Sequence, residues 1–331
     1  MKLHYIAGNT SHRLVHTLRK PNGDWQSTFG DVSNIFQTSL GWSVPINVLD
    51  ADCVQLYNEL HVCMLGESNQ VFFGTRRSNA AGSWIDITNL TPLANSAIPG
   101  LPANHRYNRL ACTIVGEALQ LLLLTETGLI VRLEKINDPL HNNWRMAPLI
   151  SGAATHGRIV DITCFVRDLS SEDEENYDMY IGTATETGRI VRYLFSCNID
   201  PFTQAVTLNT GLPNAVNWVN GATLQGVQRL SGDYCSGGEQ FLACMNDGHV
   251  LHTISGQNYF GDVNGPNGNS TLRYRDVSCF GIDDKLHVGV ITDSGVPYHT
   301  FRKNNGHWQG HMGNVSSHSS GGGSMTFVGV G

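Results

Sequence analysis

The chain has 331 residues, a net charge of −7 and a pI near 6.0, with 36 glycines and 11 prolines. Its acidity argues against a nucleic-acid or anionic-membrane surface, and no 18-residue apolar run is present to form a transmembrane helix. The opening segment MKLHYIAGNTSHR lacks the apolar core of a secretory signal peptide, so the protein is expected in the cytoplasm or exported by a route its sequence does not announce.

From the N-terminus, LHYIAG (3–8) and LVHTLR (14–19) are two apolar runs around a polar turn, and a run bearing Trp25 follows. LDADCV (49–54), LHVCMLG (60–66), VFFGTRR (71–77) and a run from Trp84 come next. RLACTI (109–114), LLLLT (121–125), LIVRL (129–133) and a run from Trp144 repeat the order. DITCFV (161–166), GTAT (182–185) and RIVRY (189–193) form a fourth unit, and FLACM (241–245) with HVLHT (249–253) a fifth. The sixth holds RDVSCF (275–280), LHVGVIT (286–292), PYHTFR (297–302) and Trp308. Turns of the kind E-T-G, N-D-G and D-S-G between apolar runs predict hairpins.

The repetition is strongest between Lys2–Ser33 and Lys285–Ser316, which align without a gap at an offset of 283. Six four-stranded units without long helical periodicity predict an all-β fold, a six-bladed β-propeller forming one domain. The expected blades are 2–33 plus 324–331, 47–90, 107–150, 159–210, 222–262 and 275–315. The apolar segment SMTFVGVG (324–331) has no hairpin partner of its own and is expected to close the ring as the innermost strand of the first blade. A gapless overlay across the two ends sets Phe327 where Cys279 stands.

Cys53, Cys112, Cys164 and Cys279 occupy one position in different blades, too far apart to bridge, and are expected to be small buried thiols. The sequons at Asn9, Asn89, Asn269 and Asn314 are expected to be unmodified. SSHSSGGGS (316–324) reads as a flexible linker, and SSEDEENYD (170–178) as a solvated acidic loop.

The repeated polar and aromatic set is the candidate site. His16-Thr17-x-Arg19 recurs as His299-Thr300-x-Arg302, with Tyr298 beside His299, and His252-Thr253 recurs in the fifth unit. Arg76 belongs to the second unit, while Arg132 and Arg192 are read as standing where other units have Thr. With Trp25, Trp84, Trp144 and Trp308, these residues offer an indole face, planar donors and imidazoles. A pyranose stacks its apolar face on an indole, and its hydroxyls are fixed by a few directional groups. The competing reading makes the Trp side chains filler between sheets and the His and Thr side chains satisfied core groups.

The pattern L-H-x₁₁-H-T-x-R-x₃-G-x-W-Q-x₃-G-x-V, clear in the first and last units, resembles the β-propeller lectins of the Photorhabdus type and, more loosely, the tectonins. The resemblance implies a multivalent lectin that binds sugars such as fucose in clefts between blades, with glycans or glycoconjugates as partners, no cofactor, no catalytic residue and room for a homo-oligomer. Lectins of the Photorhabdus type have seven blades, one more than counted here. Fungal six-bladed fucose lectins keep an Arg-Glu-aromatic set in each blade, and no such set is found in this sequence.

Two other functions are weighed. A protein-interaction scaffold or toxin-associated module would use the long loops 90–106 and 170–178. A channel-metal hydrolase would use Asp50, Asp161 and Asp276, each three residues before an innermost-strand Cys, with Arg109 at the same place in the third unit. Their expected role is instead to accept backbone N–H bonds between blades.

Overall fold

Turn chemistry fixes the hairpins. Gly128, Gly188, Gly248 and Gly295 close the predicted turns at φ between 77° and 87°, the left-handed backbone that glycine adopts without a Cβ penalty. In three of these turns a threonine hydroxyl (Thr125, Thr185 or Thr292) also accepts the backbone N–H four residues on, at 2.9–3.1 Å. Alternating apolar positions then place successive side chains on opposite faces of each strand.

The computed structural model describes residues 2–77, 82–96, 105–136, 144–150, 157–171, 175–200, 204–209, 216–217, 226–254, 261–268 and 271–331. It contains six antiparallel sheets, one per blade. From the axis outward, blade 1 is Met325–Val330, Leu3–Asn9, Leu14–Arg19 and Gly30–Asp31. Blade 2 is Val48–Leu56, Glu59–Gly66, Val71–Arg77 and Trp84–Asn89. Blade 3 is Tyr107–Val115, Ala118–Thr125, Ile130–Lys135 and Trp144–Ile150. Blade 4 is Ile159–Asp168, Tyr177–Thr185, Ile190–Ile199 and Val206–Leu208, with Val216–Asn217 also paired to its third strand. Blade 5 is Val227–Cys235, Gly238–Met245, Val250–Ile254 and Gly261–Asp262. Blade 6 is Tyr274–Ile282, Lys285–Thr292, Pro297–Arg302 and Gly313–Asn314.

The C-terminal strand closes the ring as expected, with Val330 opposite Tyr5 and Val328 opposite Ala7. Its phase differs from the gapless overlay. Val330, not Phe327, occupies the position of Cys279, because Tyr5 and Val288 are equivalent and face them. Phe327 instead matches Asp50, each lying beside a β-bulge. No hairpin turn ties the last strand to Leu3–Asn9, so side-chain packing rather than turn geometry sets its register. Gly8 accommodates the result, since a Cβ there would run into the Phe327 ring.

The core is divided into six apolar clusters, one between each pair of neighbouring blades. Side chains also stitch the innermost strands together. Asp50 accepts the Leu110 N–H at 2.9 Å, Asp161 that of Leu230 at 2.5 Å and Asp276 that of Val328 at 2.7 Å. The expected bonding role of these carboxylates is therefore the observed one. All eight cysteines are unpaired and buried.

Two features differ from the sequence reading. The segment 316–324 is pinned rather than free: Ser319 is buried, Ser320 bonds the backbone of Ser27 and Phe29, and Asn9 Nδ2 donates to Gly322 O at 3.1 Å. Two short helices, Val32–Ser39 and Thr91–Ser96, sit in predicted loops. Asp31 caps the first by accepting the Asn34 N–H at 2.9 Å, and Phe36 anchors it in the core between blades 1 and 2. The acidic loop 170–178 and the loop 90–106 lie partly outside the described residues.

Candidate functional site

A His-Thr-x-Arg motif on a strand sends its residues to both faces. His16 lies opposite Ile6, which packs toward blade 2, whereas Thr17 and Arg19 lie opposite Tyr5 and Leu3, which pack toward blade 6. One motif thus gives its imidazole to one cleft and its guanidinium to the preceding one. The set sought within each blade is assembled between blades instead.

Four clefts follow this rule. Trp84 of blade 2 meets His16 of blade 1 edge-on, with ring centres 6.5 Å apart. Trp25 of blade 1 meets His299 of blade 6 at 5.6 Å, and Trp308 of blade 6 meets His252 of blade 5 at 5.4 Å. Trp144 of blade 3 meets Phe73 of blade 2 at 5.1 Å. Each Trp bridges to the position of Arg19, Arg76, Lys135 or Arg302 on its own blade. These four indoles are only partly buried, so each fills space between sheets and keeps exposed surface in the cleft. Tyr298 lies on the face of Trp308 and Arg302, in the cluster between blades 5 and 6, and not with His299.

The imidazoles form cross-strand pairs at the cleft floors. His4 Nδ1 and His16 Nε2 are 2.9 Å apart, His287 Nδ1 and His299 Nε2 3.0 Å, and His252 Nε2 lies 2.8 Å from Gln240 Oε1. Burial lowers the pKa of His4 and His252 to about 3 and that of His61 and His287 to about 4, and holds His16 and His299 well below the usual value. All are neutral near pH 7, so each ring offers one donor and one acceptor. His4 is buried, and its Nε2 has no partner among the described residues.

The same register corrects the placement of two arginines. Arg132 faces Leu122 and Arg192 faces Gly182, which are the positions opposite His16 and His299 rather than the Thr positions. Arg132 bonds Gln120 Oε1 at 2.8 Å and Val206 O at 3.1 Å beside the buried Glu134, which fills the cleft between blades 3 and 4. Arg192 binds both Glu239 oxygens at 2.6 Å, its guanidinium 5.8 Å from the Tyr180 ring. One Arg-Glu-aromatic set is therefore present, between blades 4 and 5. It was missed because its members come from two blades, 47 residues apart for the ion pair.

An opening of about 430 Å³ between blades 6 and 1 is lined by Arg19, Trp25, Asp24, His299, His311 and His318 among others. A second cavity of about 390 Å³ lies at the channel mouth. There Asp50, Arg109, Asp161, Arg229 and Asp276 alternate in charge around the axis, with Phe327 in the sixth place. Arg229 reaches Asp50 at 2.5 Å, Asp276 at 2.9 Å and Asp161 at 3.4 Å. These carboxylates are occupied by guanidinium and backbone N–H groups. Among the described residues no group of three or more His, Cys, Asp or Glu is arranged to hold a metal, and no helix is long and apolar enough to cross a membrane.

No model of a known protein family matches the sequence, and no curated protein does. Solved structures match the fold. AofleA from Arthrobotrys oligospora aligns over 94% of this chain and 85% of its own, with a TM-score of 0.53 and 10% identity. A six-bladed fungal lectin with a novel fucose recognition mode, from Aleuria aurantia, aligns over 86% of both chains at a TM-score of 0.51 and 11% identity. SapL1 lectin in complex with alpha methyl fucoside aligns over 93% of this chain and 94% of its own, at a TM-score of 0.50 and 10% identity. At these identities the likeness is one of architecture, and the architecture is a six-bladed β-propeller.

Proposed function

We propose that the protein is a multivalent saccharide-binding lectin without catalytic activity, of the kind its repeat pattern resembles in the Photorhabdus lectins and tectonins. The observation that carries this reading is the cleft built alike at several blade junctions. A partly exposed indole and a basic side chain come from one blade, and a neutral imidazole comes from the blade before it. An indole face beside fixed donors and acceptors suits a pyranose ring. The shared fold with fucose-binding lectins supports the reading and makes fucosylated glycans the first to try. Several weak sites on one rigid disc raise avidity for clustered glycans by ~10²–10⁴. A glycan array carrying fucosylated and methylated sugars is the test, with Trp308→Ala beside it. Binding by the parent that drops in the variant, with the fold retained, supports the proposal. No binding at micromolar protein refutes it.

A further inference from the structure

The six clefts divide by how their basic group is balanced. In three of them a carboxylate lies within reach: Lys135 has Asp86 at 3.7 Å, Arg145 and Arg132 have Glu134 at 2.5 and 3.7 Å, and Arg192 has Glu239 at 2.6 Å. In the other three the cation is Arg19, Arg76 or Arg302, and among the described residues none of these forms an ion pair. All three are half-buried, and burial holds each guanidinium below its ordinary pKa with no carboxylate offsetting the effect. Arg19 spends its Nε on Gly23 O at 3.1 Å, which fixes the plane of the guanidinium.

Each of these guanidinium groups faces the neutral polar pair on the preceding blade. Arg19 acts electrostatically on His287 and His299, Arg76 on His4 and His16, and Arg302 on His252. Near Arg76 the buried His4 Nε2 lacks a partner among the described residues. A half-desolvated guanidinium without a paired counter-ion is the arrangement an anionic oxygen completes. The protein as a whole carries −7, so this is not a general attraction for anions.

We infer that the clefts holding Arg19, Arg76 and Arg302 select acidic saccharides, with a carboxylate or sulfate on the sugar accepted by the guanidinium and the ring stacked on Trp25, Trp84 or Trp308. This deepens the saccharide reading and rests on it. In the other three clefts the cation is already paired with a carboxylate and has no such preference, whereas Asp24, which lines the Arg19 cleft, forms no ion pair with Arg19.

The test compares oligogalacturonate, its methyl ester and a heparin-derived oligosaccharide with a neutral fucosylated oligosaccharide, by calorimetry on the intact protein at low and high salt. The acid should bind at least about tenfold more tightly than its methyl ester, as for a charge-assisted bond replaced by a neutral one. The heparin oligosaccharide reports whether sulfate serves as well as carboxylate. The triple variant Arg19→Gln/Arg76→Gln/Arg302→Gln should lose most of the difference. Equal affinity for acid and ester, or binding of the neutral glycan alone, overturns the inference and leaves the lectin reading standing. Binding of none of the four, together with a blank glycan array, overturns both. The acid–ester comparison uses the unaltered protein, so it decides the matter even if the variant fails to fold.

Discussion

Removing the last strand should destroy the fold. A chain ending at Gly322 loses Met325, Phe327, Val328 and Val330, which are between 0% and 6% exposed. Burying one large apolar side chain contributes ~1.5–3 kcal/mol, so four contribute about 6–12 kcal/mol. That matches the whole net stability of a typical domain, about 5–15 kcal/mol. The loss goes further, because Asp276 Oδ2 and Ser278 Oγ lose the N–H groups of Val328 and Val330, at 2.7 and 3.0 Å. Leu3–Asn9 would also become an open sheet edge, a template for aggregation. Size-exclusion chromatography and thermal unfolding by circular dichroism, run beside the full chain, read the outcome. The truncated protein should be aggregated or unfolded, and a peptide spanning 323–331 added in trans should recover part of the melting transition. A truncated chain that stays monomeric with an unchanged melting temperature would refute the closure described here.

Three other predictions follow from buried charge and from the clefts. Stability should fall as pH drops below about 6.5, because the unfolded chain protonates imidazoles that stay neutral in the folded state down to about 3 for His4 and His252 and about 4 for His61 and His287. Asp52, Asp233 and Asp276, raised by burial to about 6, act in the opposite direction, favouring the fold as they protonate. The imidazoles outnumber them, so urea midpoints should decline from pH 7 to pH 5, and a flat or rising midpoint would contradict the assignment. Arg229→Met should cost about 3–5 kcal/mol at pH 8, since it leaves Asp50 and Asp276 without their guanidinium partner while Asp161 keeps Arg109. The cost should shrink at pH 5 as Asp276, raised by burial to about 6, protonates; an equal cost at both pH values would count against the axial network. Trp308→Ala should weaken glycan binding while leaving the circular dichroism spectrum intact, and loss of the fold would show that the indole serves packing alone.

Much of the architecture is legible in the sequence because repetition, turn glycines and alternating runs are local signals. The Lys2–Ser33 and Lys285–Ser316 copies define the blade, and the unpartnered SMTFVGVG segment indicates closure. The position of Phe327 is not legible, because the pairing partner of the last strand is not joined to it by a turn. The short helix Val32–Ser39 carries a readable signal in Asp31-Val-Ser-Asn, an N-cap before a helical turn, but it is too short to show periodicity. The recurring His, Arg and Trp residues are legible in the sequence, but how the ring groups them into clefts is not. His16 and Arg19 are three apart on a strand and so serve different clefts, a fact that needs the strand assignment and the ring order together. Arg192 and Glu239 make the same point across two blades.

The most direct measurement is a crystal structure of the protein soaked with the saccharide that binds best on the array. The account predicts density for a sugar ring between blades 6 and 1, against Trp25 with Arg19 and His299 in reach, and at the matching places beside Trp84 and Trp308. Sugar bound only at the channel mouth near Arg109 and Arg275, with the three clefts empty, would contradict it.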